Sequence, residues 1–304
     1  AGLCAFSIGT ETLGSITSPS ERCGTVGLRP TFGRVPRTGC MPLCPSLDKI
    51  GPICRYVDDS GLILEVLNQF DPMDRGSIDA PFIYSNKLTE EKFRIGYLEN
   101  DFGDQKEDIF NRTATQKIFS LGHEKIAIKL SDFPFECLIG TLYAEAAASF
   151  ENITLGNTDD TLTRQDPGAW PNAFRKARFL SAVDHVQLDR LRMIAIDEMN
   201  AFFEDVDFII GPMAVNSMLI VSNFTGHPCL QIPVGFEELA TRNELSLASG
   251  KLELGTPSDH GKKHLVPRGV SIWAPLFQED KLINFGKHIE SLFEFFKNKP
   301  PNFS

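Results

Sequence analysis

Long apolar runs are missing from this 304-residue chain: none approaches the roughly 20 residues that a bilayer-crossing helix requires. Clustered positive charge is missing too. Thirty Lys and Arg stand against 40 Asp and Glu, for a formal charge of −10 and a pI near 5.2. A nucleic-acid backbone as the main partner would need basic residues massed on one face, and the nearest approach, Lys262, Lys263 and His264, reads as a solvated loop. Metal spacing is absent: the seven cysteines (4, 23, 40, 44, 54, 137 and 229) form an odd set, and Cys40 with Cys44 has no second pair or neighbouring His to complete a site. Free thiols in a reducing compartment are therefore expected in place of a metal site, and a cytoplasmic location. AGLCAFSIGT has neither the basic start nor the cleavage pattern of a signal peptide, and no initiator methionine, so Ala1 is read as an internal position. No repeat and no compositional break marks a boundary, so residues 1–304 are read as one domain.

What is present is an ordinary globular composition, 42% hydrophobic and 23% charged. The opening stretch is rich in Gly, Pro, Ser and Thr yet apolar and regularly punctuated, which predicts built loops and short strands instead of a linker. VDDSGLILEVLNQF predicts a helix capped by Asp58 or Asp59, with Leu62, Val66, Leu67 and Phe70 on one face. FRIGYLEN (93–100) and KIAIKL (125–130) flank a helix over about 106–121, an alternation that points to an α/β fold. LIGTLYAEAAASF is a second helix. Long helical character follows from Pro171 to Glu204, with Phe179, Val183, Val186, Leu191 and Ile194 inward. VDFIIGPM (206–213) and CLQIPVGF (229–236) read as strands buried on both faces, and Glu237 to His264 as a surface excursion. GVSIWAP (269–275) is a last strand, and Leu282, Phe285, Ile289, Leu292 and Phe296 line a closing amphipathic helix.

The segment most suggestive of chemistry is GTETLGSITSP, in which small and hydroxyl-bearing residues surround Ser15. A serine hydroxyl attacks a carbonyl only when a base takes its proton, and the oxyanion so formed needs preorganised donors. Backbone amides serve when the chain turns tightly, and Thr12-Leu13-Gly14-Ser15 can present a row of them. Taken alone, the pattern G-x-x-x-x-G-S fits a connecting loop better. A phosphate-binding loop is weaker still, since no Gly-Lys-Ser/Thr follows.

The longer stretch from Gly9 to Leu64 changes that balance, because it resembles the signature block of the amidase signature family. That block runs G-T-D/E-x-G-G-S-I-x-x-P, then G-L-K/R-P-T-x-G-R-V, then S-x-D-x-I/P-G-P and a helix opening V-x-D. VDFIIGPM, NFTGHPCLQIPVGF and GVSIWAPLFQEDKLINFGKHIE resemble the family's later strands and closing helix, so the likeness spans nearly the whole chain. The resemblance implies a mixed β-sheet flanked by helices, and hydrolysis of small-molecule or peptide-like amides without metal or organic cofactor. It makes Ser15 the acylated nucleophile and the amides of Thr12, Leu13, Gly14 and Ser15 the oxyanion hole, with Thr10 and Glu11 holding the loop by hydrogen bonds. Two positions depart from the pattern. Leu13 replaces a frequent glycine, so an ordinary φ is expected there, and Thr17 replaces an arginine.

In that family the serine is activated by a second serine in a G-S-S-G motif and by a buried lysine, both of which would precede Ala1. Within the chain, Lys49 is read as structural, held charged by Asp48, and His227 as a packed residue of the pocket wall or a satisfied interior one. Substrate-shaping loops are expected around 133–170 and 213–224. Two other readings remain. One is a non-catalytic remnant or binding subunit of the same fold. The other is the ammonia-transferring component of a tRNA amidotransferase, which the stricter G-T-D-T-G-G-S-I-R pattern and the acidic charge disfavour.

Overall fold

The structure is a computed structural model that describes residues 2–98, 109–213, 217–240, 245–246, 253–254 and 262–298. The opening stretch supplies β1 (Phe6–Glu11), α1 (Thr17–Cys23), β2 (Val26–Arg29), β3 (Lys49–Cys54) and α2 (Val57–Leu67). Next come β4 (Arg94–Leu98), α3 (Ile109–Phe119) and β5 (Glu124–Ile128). A helical section follows, with α4 (Ile139–Ser149), α5 (Glu151–Leu155), α6 (Trp170–Ala177) and α7 (Ala182–Asp205). The last part contains β6 (Phe208–Gly211), α8 (Met218–Phe224), β7 (Cys229–Ala240), β8 (Leu245–Ser246), β9 (Glu253–Leu254), β10 (Lys263–Trp273) and α9 (Glu279–Phe293).

An eight-stranded mixed sheet has the order β1-β3-β2-β7-β10-β6-β4-β5. β4 runs parallel to β5 and β6, and the other pairings are antiparallel. Successive residues of the central strands point to opposite sides. Phe208, Ile210, Leu230, Ile232 and Ile272 join one core with Val57 and Leu64 of α2, Ile118 of α3 and Phe285 of α9. Ile209, Cys229 and Trp273 join the other with Leu142 of α4, Met199 of α7 and Val221 of α8. Both faces are covered, which is why these strands read as continuous apolar runs. Among the described residues no helix is long and apolar enough to cross a membrane.

Three expectations need correction. In α2 the buried positions are Val57, Ser60, Gly61 and Leu64, whereas Leu62 and Val66 are 51% and 74% exposed and Phe70 lies beyond the helix. Small residues face inward because the Tyr84 ring lies against Gly61, where a Cβ would come within 2.4 Å of it. Asp58 and Asp59 sit inside the first turn and do not cap it; the Val57 amide instead donates to Glu290 of α9 at 2.9 Å. In the long helical stretch, Phe179 falls in the break between α6 and α7 and is 89% exposed, and Val183 and Val186 are exposed too. The buried residues of α7 are Ala195 and Met199, so only its second half enters the core. The surface excursion begins and ends as a ribbon, since β7 and β10 pair outward to Ala240 and Lys263. Residues 99–108, which include the start of the helix expected from about 106, lie outside the described residues.

Candidate active site

β1 ends at Glu11 and α1 starts at Thr17, leaving five residues to reverse the chain. Gly14 takes φ +92°, a left-handed conformation that glycine adopts without a steric cost. Leu13 keeps an ordinary φ and packs partly buried against the core of α4, α7 and α8. The helix that follows lies close on β2: a Cβ at Gly27 would come within 2.2 Å of the Ser20 hydroxyl oxygen. Ser15, at the crest of the turn, is exposed and lines a cleft of about 630 Å³. Among the described residues, none accepts a hydrogen bond from the amides of Thr12, Leu13, Gly14 or Ser15, and none bonds the Ser15 hydroxyl.

The turn is held from beneath by Glu11. One of its carboxylate oxygens accepts the amides of Ile16 and Thr17, each at 2.9 Å, and the Thr17 hydroxyl at 3.1 Å. The other accepts Arg29 at 2.8 Å and Asn223 at 3.1 Å. Arg29 in turn reaches the Ser222 hydroxyl and the His227 carbonyl. Both charges of the Glu11–Arg29 pair are sealed from water. Burial alone would raise the Glu11 pKa, yet the Arg29 charge and the donated hydrogen bonds bring it down to about 2. Thr12 donates its hydroxyl to Asp48 at 2.5 Å, and Asp48 also accepts the amides of Leu43 and Cys44. Thr10 lines the cleft, and its hydroxyl has no hydrogen-bond partner among the described residues.

Lys49 pairs with Glu11 across the β1–β3 ladder, as Thr10 pairs with Ile50. Because side chains alternate along a strand and Thr10 and Ile50 line the cleft, Lys49 points to the other side, where its ammonium donates to the Leu47 carbonyl. Burial first, and then the Arg29 charge, lower its pKa to about 7. Asp48 is thus no strong counter-charge for it, but the lysine is turned away from Ser15 all the same, and position precedes pKa for a base. His227 is buried, stacked on Phe203 at 5.2 Å and bonded to Thr225 at 2.7 Å, with a pKa pushed to about 3 by burial and Arg29. It is the packed histidine expected, although it supports Arg29 and does not line the cleft.

The cleft has three further walls. The strap from Arg37 to Pro45 is pinned by Arg37, which forms an ion pair with Asp74 at 3.0 Å, donates to the Pro45 and Asp48 carbonyls and lies over the Phe32 ring. The loop Met73 to Arg75 adds a second side. Phe150, Ile153, Leu162, Trp170 and Phe174 form an apolar third side, within the 133–170 stretch expected to shape it and just beyond. The 213–224 stretch contributes differently: α8 lies under Gly14, with the Leu219 side chain 3.5 Å from where a Cβ there would stand, and 214–216 fall outside the described residues. Sequence reasoning missed Arg29, Asn223 and the strap. Arg29 did carry a signal, since a charged residue in the apolar run VGLR demands a buried partner. Among the described residues no group of three or more His, Cys, Asp or Glu side chains is placed to hold a metal ion.

A hydroxyl able to reach solvent, beside amides with no acceptor among the described residues, has the geometry that acyl transfer requires once a base is supplied. A family model described as "Amidase" matches residues 1–283. The chain is 27% identical to the A subunit of the glutamyl-tRNA(Gln) amidotransferase of Synechococcus sp. (strain RCC307), over 99% of this chain and 66% of that one. An amidase family protein from Bacillus anthracis str. Ames superposes with TM-score 0.73 at 24% identity, over 97% of this chain and 58% of that one. The native peptide amidase from Stenotrophomonas maltophilia superposes with TM-score 0.74 at 21% identity, over 100% and 65% respectively. The chain thus spans 58–66% of the length of these proteins.

Proposed function

The chain belongs to the amidase family, and on that premise we propose that it is the nucleophile-bearing part of an amidase-signature hydrolase acting through an acyl-enzyme on Ser15. The Ser15 oxygen attacks the carboxamide carbon, and its proton passes to the base. The amides of Thr12, Leu13, Gly14 and Ser15 stabilise the tetrahedral oxyanion. The C–N bond then breaks, with the nitrogen taking a proton as it leaves. Water attacks the resulting ester, releasing the acid and restoring the hydroxyl. The base is a lysine acting through a second serine, both earlier in the same domain than Ala1. Glu11, anchored by Arg29, holds the turn in register. Thr10, expected to share in holding the loop, instead lines the cleft at the end of β1 with no hydrogen bond from its hydroxyl among the described residues.

The observation that carries this reading is the coincidence, at one turn, of a hydroxyl lining the cleft and amides with no acceptor among the described residues. A fluorophosphonate probe applied to the polypeptide that includes the lysine and second serine is expected to label Ser15, and Ser15→Ala to abolish labelling. Absence of labelling with the lysine present overturns the proposal. The name of the curated relative favours a second reading, an ammonia-transferring component of a tRNA-amidating complex. That reading predicts co-purification with partner proteins and glutamine-dependent activity, where the first predicts hydrolysis by the polypeptide alone.

A further inference from the structure

We infer that the apolar wall of the cleft is a subsite for an aromatic ring, so that the substrate is a carboxamide carrying an aryl group; the inference rests on Ser15 being the nucleophile. Three rings form the wall in sequence. Phe150 stacks on Phe174 at 5.5 Å with 22° between planes, and Trp170 lies 5.6 Å from Phe174 at 33°. Tyr143 closes the back of Trp170 edge-on at 6.1 Å. Phe174 is 4% exposed, whereas Trp170 is 42% exposed although it lines the same cleft as Ser15. An indole backed by two rings and open toward a cavity offers a flat apolar surface that a second flat ring covers by offset or edge contact.

The wall is held in place by contacts within the chain. α6 starts at Trp170 with a proline in its first turn, and Arg175 ties the helix to Asp159, itself buried, at 2.5 Å and to Asp160 at 3.1 Å. Ile153 and Leu162 extend the wall, and it contains no charged side chain. Elsewhere in the cleft, Asp74 is taken by Arg37, and Asp48 by Thr12 and two amides. Arg75 also lines the cleft, on the Met73–Arg75 loop; the aromatic wall itself offers no charged partner to the ammonium and carboxylate of a substrate such as glutamine. About 630 Å³ accommodates a small molecule of one or two rings.

The chain supplies its own reporter. It has two tryptophans, Trp170 in the cleft and Trp273 at 1% exposure in the core. Titration of the 304-residue chain with phenylacetamide, acetanilide, acetamide and glutamine is followed by tryptophan emission, which requires no catalytic base. At least one aromatic amide is expected to quench emission saturably and to bind about tenfold or more tightly than acetamide or glutamine. Phenylacetamide places the ring on the acyl side and acetanilide on the amine side, so the tighter one shows which side faces the wall. Trp170→Phe is expected to remove the quench. Phe174→Ala and the surface change Leu162→Asp are each expected to weaken aromatic binding about fivefold or more, and the second leaves the core untouched. Equal affinity for all four amides, or aromatic binding unmoved by Leu162→Asp and Phe174→Ala, overturns the inference. Ser15→Ala keeps aromatic binding while losing probe labelling, so failure of the nucleophile assignment is read separately from failure of the subsite.

Discussion

At the scale of single residues, Glu11 sets the geometry on which Ser15 depends. It accepts bonds from Ile16, Thr17, Arg29 and Asn223, and it is fully buried. Replacing it by Gln keeps the shape but leaves the Arg29 charge buried without a counter-charge, which costs about 3–5 kcal/mol. Glu11→Gln is therefore expected to lower the denaturant midpoint sharply. The same carboxylate gives an acid-side slope. Its pKa falls from 4.5 to about 2 on folding, so the unfolded chain binds the proton first as pH drops. The stabilisation, about 3 kcal/mol, is present above pH 4.5 and is lost as pH falls toward 2. Urea midpoints measured across that window should fall more steeply for the wild type than for the variant, in which Asp74, held to about 2 by Arg37, still contributes an acid-side slope.

At the scale of elements, α2 has no side-chain cap of its own and receives one from α9, through Glu290 and the Val57 amide. Burial raises the Glu290 pKa to about 7, with Asp58 and Asp59 adding to the effect. Because the folded pKa exceeds the unfolded value, this contribution is full below pH 4.5 and is lost as pH rises through 7. Discounted for partial exposure, the swing is about 1–2 kcal/mol. Glu290→Gln retains an acceptor for Val57 and carries no charge, so it should match the wild type near pH 5 and be more stable at pH 8 in thermal melts. The misread face of α2 has the same origin. A helix whose apolar stripe is drawn from large residues alone overlooks Ser60 and Gly61, which are buried because Tyr84 and α9 come so close. Misreading α7 has another cause: periodicity reports an apolar face but not how far along the helix its covering neighbours extend.

At the scale of the whole molecule, the sheet ends at β1. Its outer side is unpaired among the described residues, and it exposes Phe6 at 48% and Ile8 at 45%. These side chains point the same way as Thr10, so an apolar row runs outward from the cleft along an edge that offers backbone donors and acceptors. The 304-residue chain is expected to self-associate with rising concentration. Phe6→Lys combined with Ile8→Lys should shift sedimentation toward the monomer without altering the circular dichroism spectrum; association unchanged in that variant would place the contact elsewhere.

Much of this protein is legible in its letters where the physics is local. Gly14 marks a turn that needs a positive φ, the runs at 206–213 and 229–236 mark strands covered on both sides, and the spacing of Leu282, Phe285 and Ile289 marks the buried side of α9. The amidase block locates Ser15 for the same reason, since each of its small residues answers a backbone demand within a few positions. Tertiary structure alone decided what those pieces meet: Arg29 under Glu11, Glu290 at the start of α2, Lys49 turned away from the cleft, and Trp170 and Phe174 brought to the cleft that Ser15 lines. Partners separated by tens or hundreds of residues leave no periodic trace in a sequence, because their pairing depends on how strands register and helices dock.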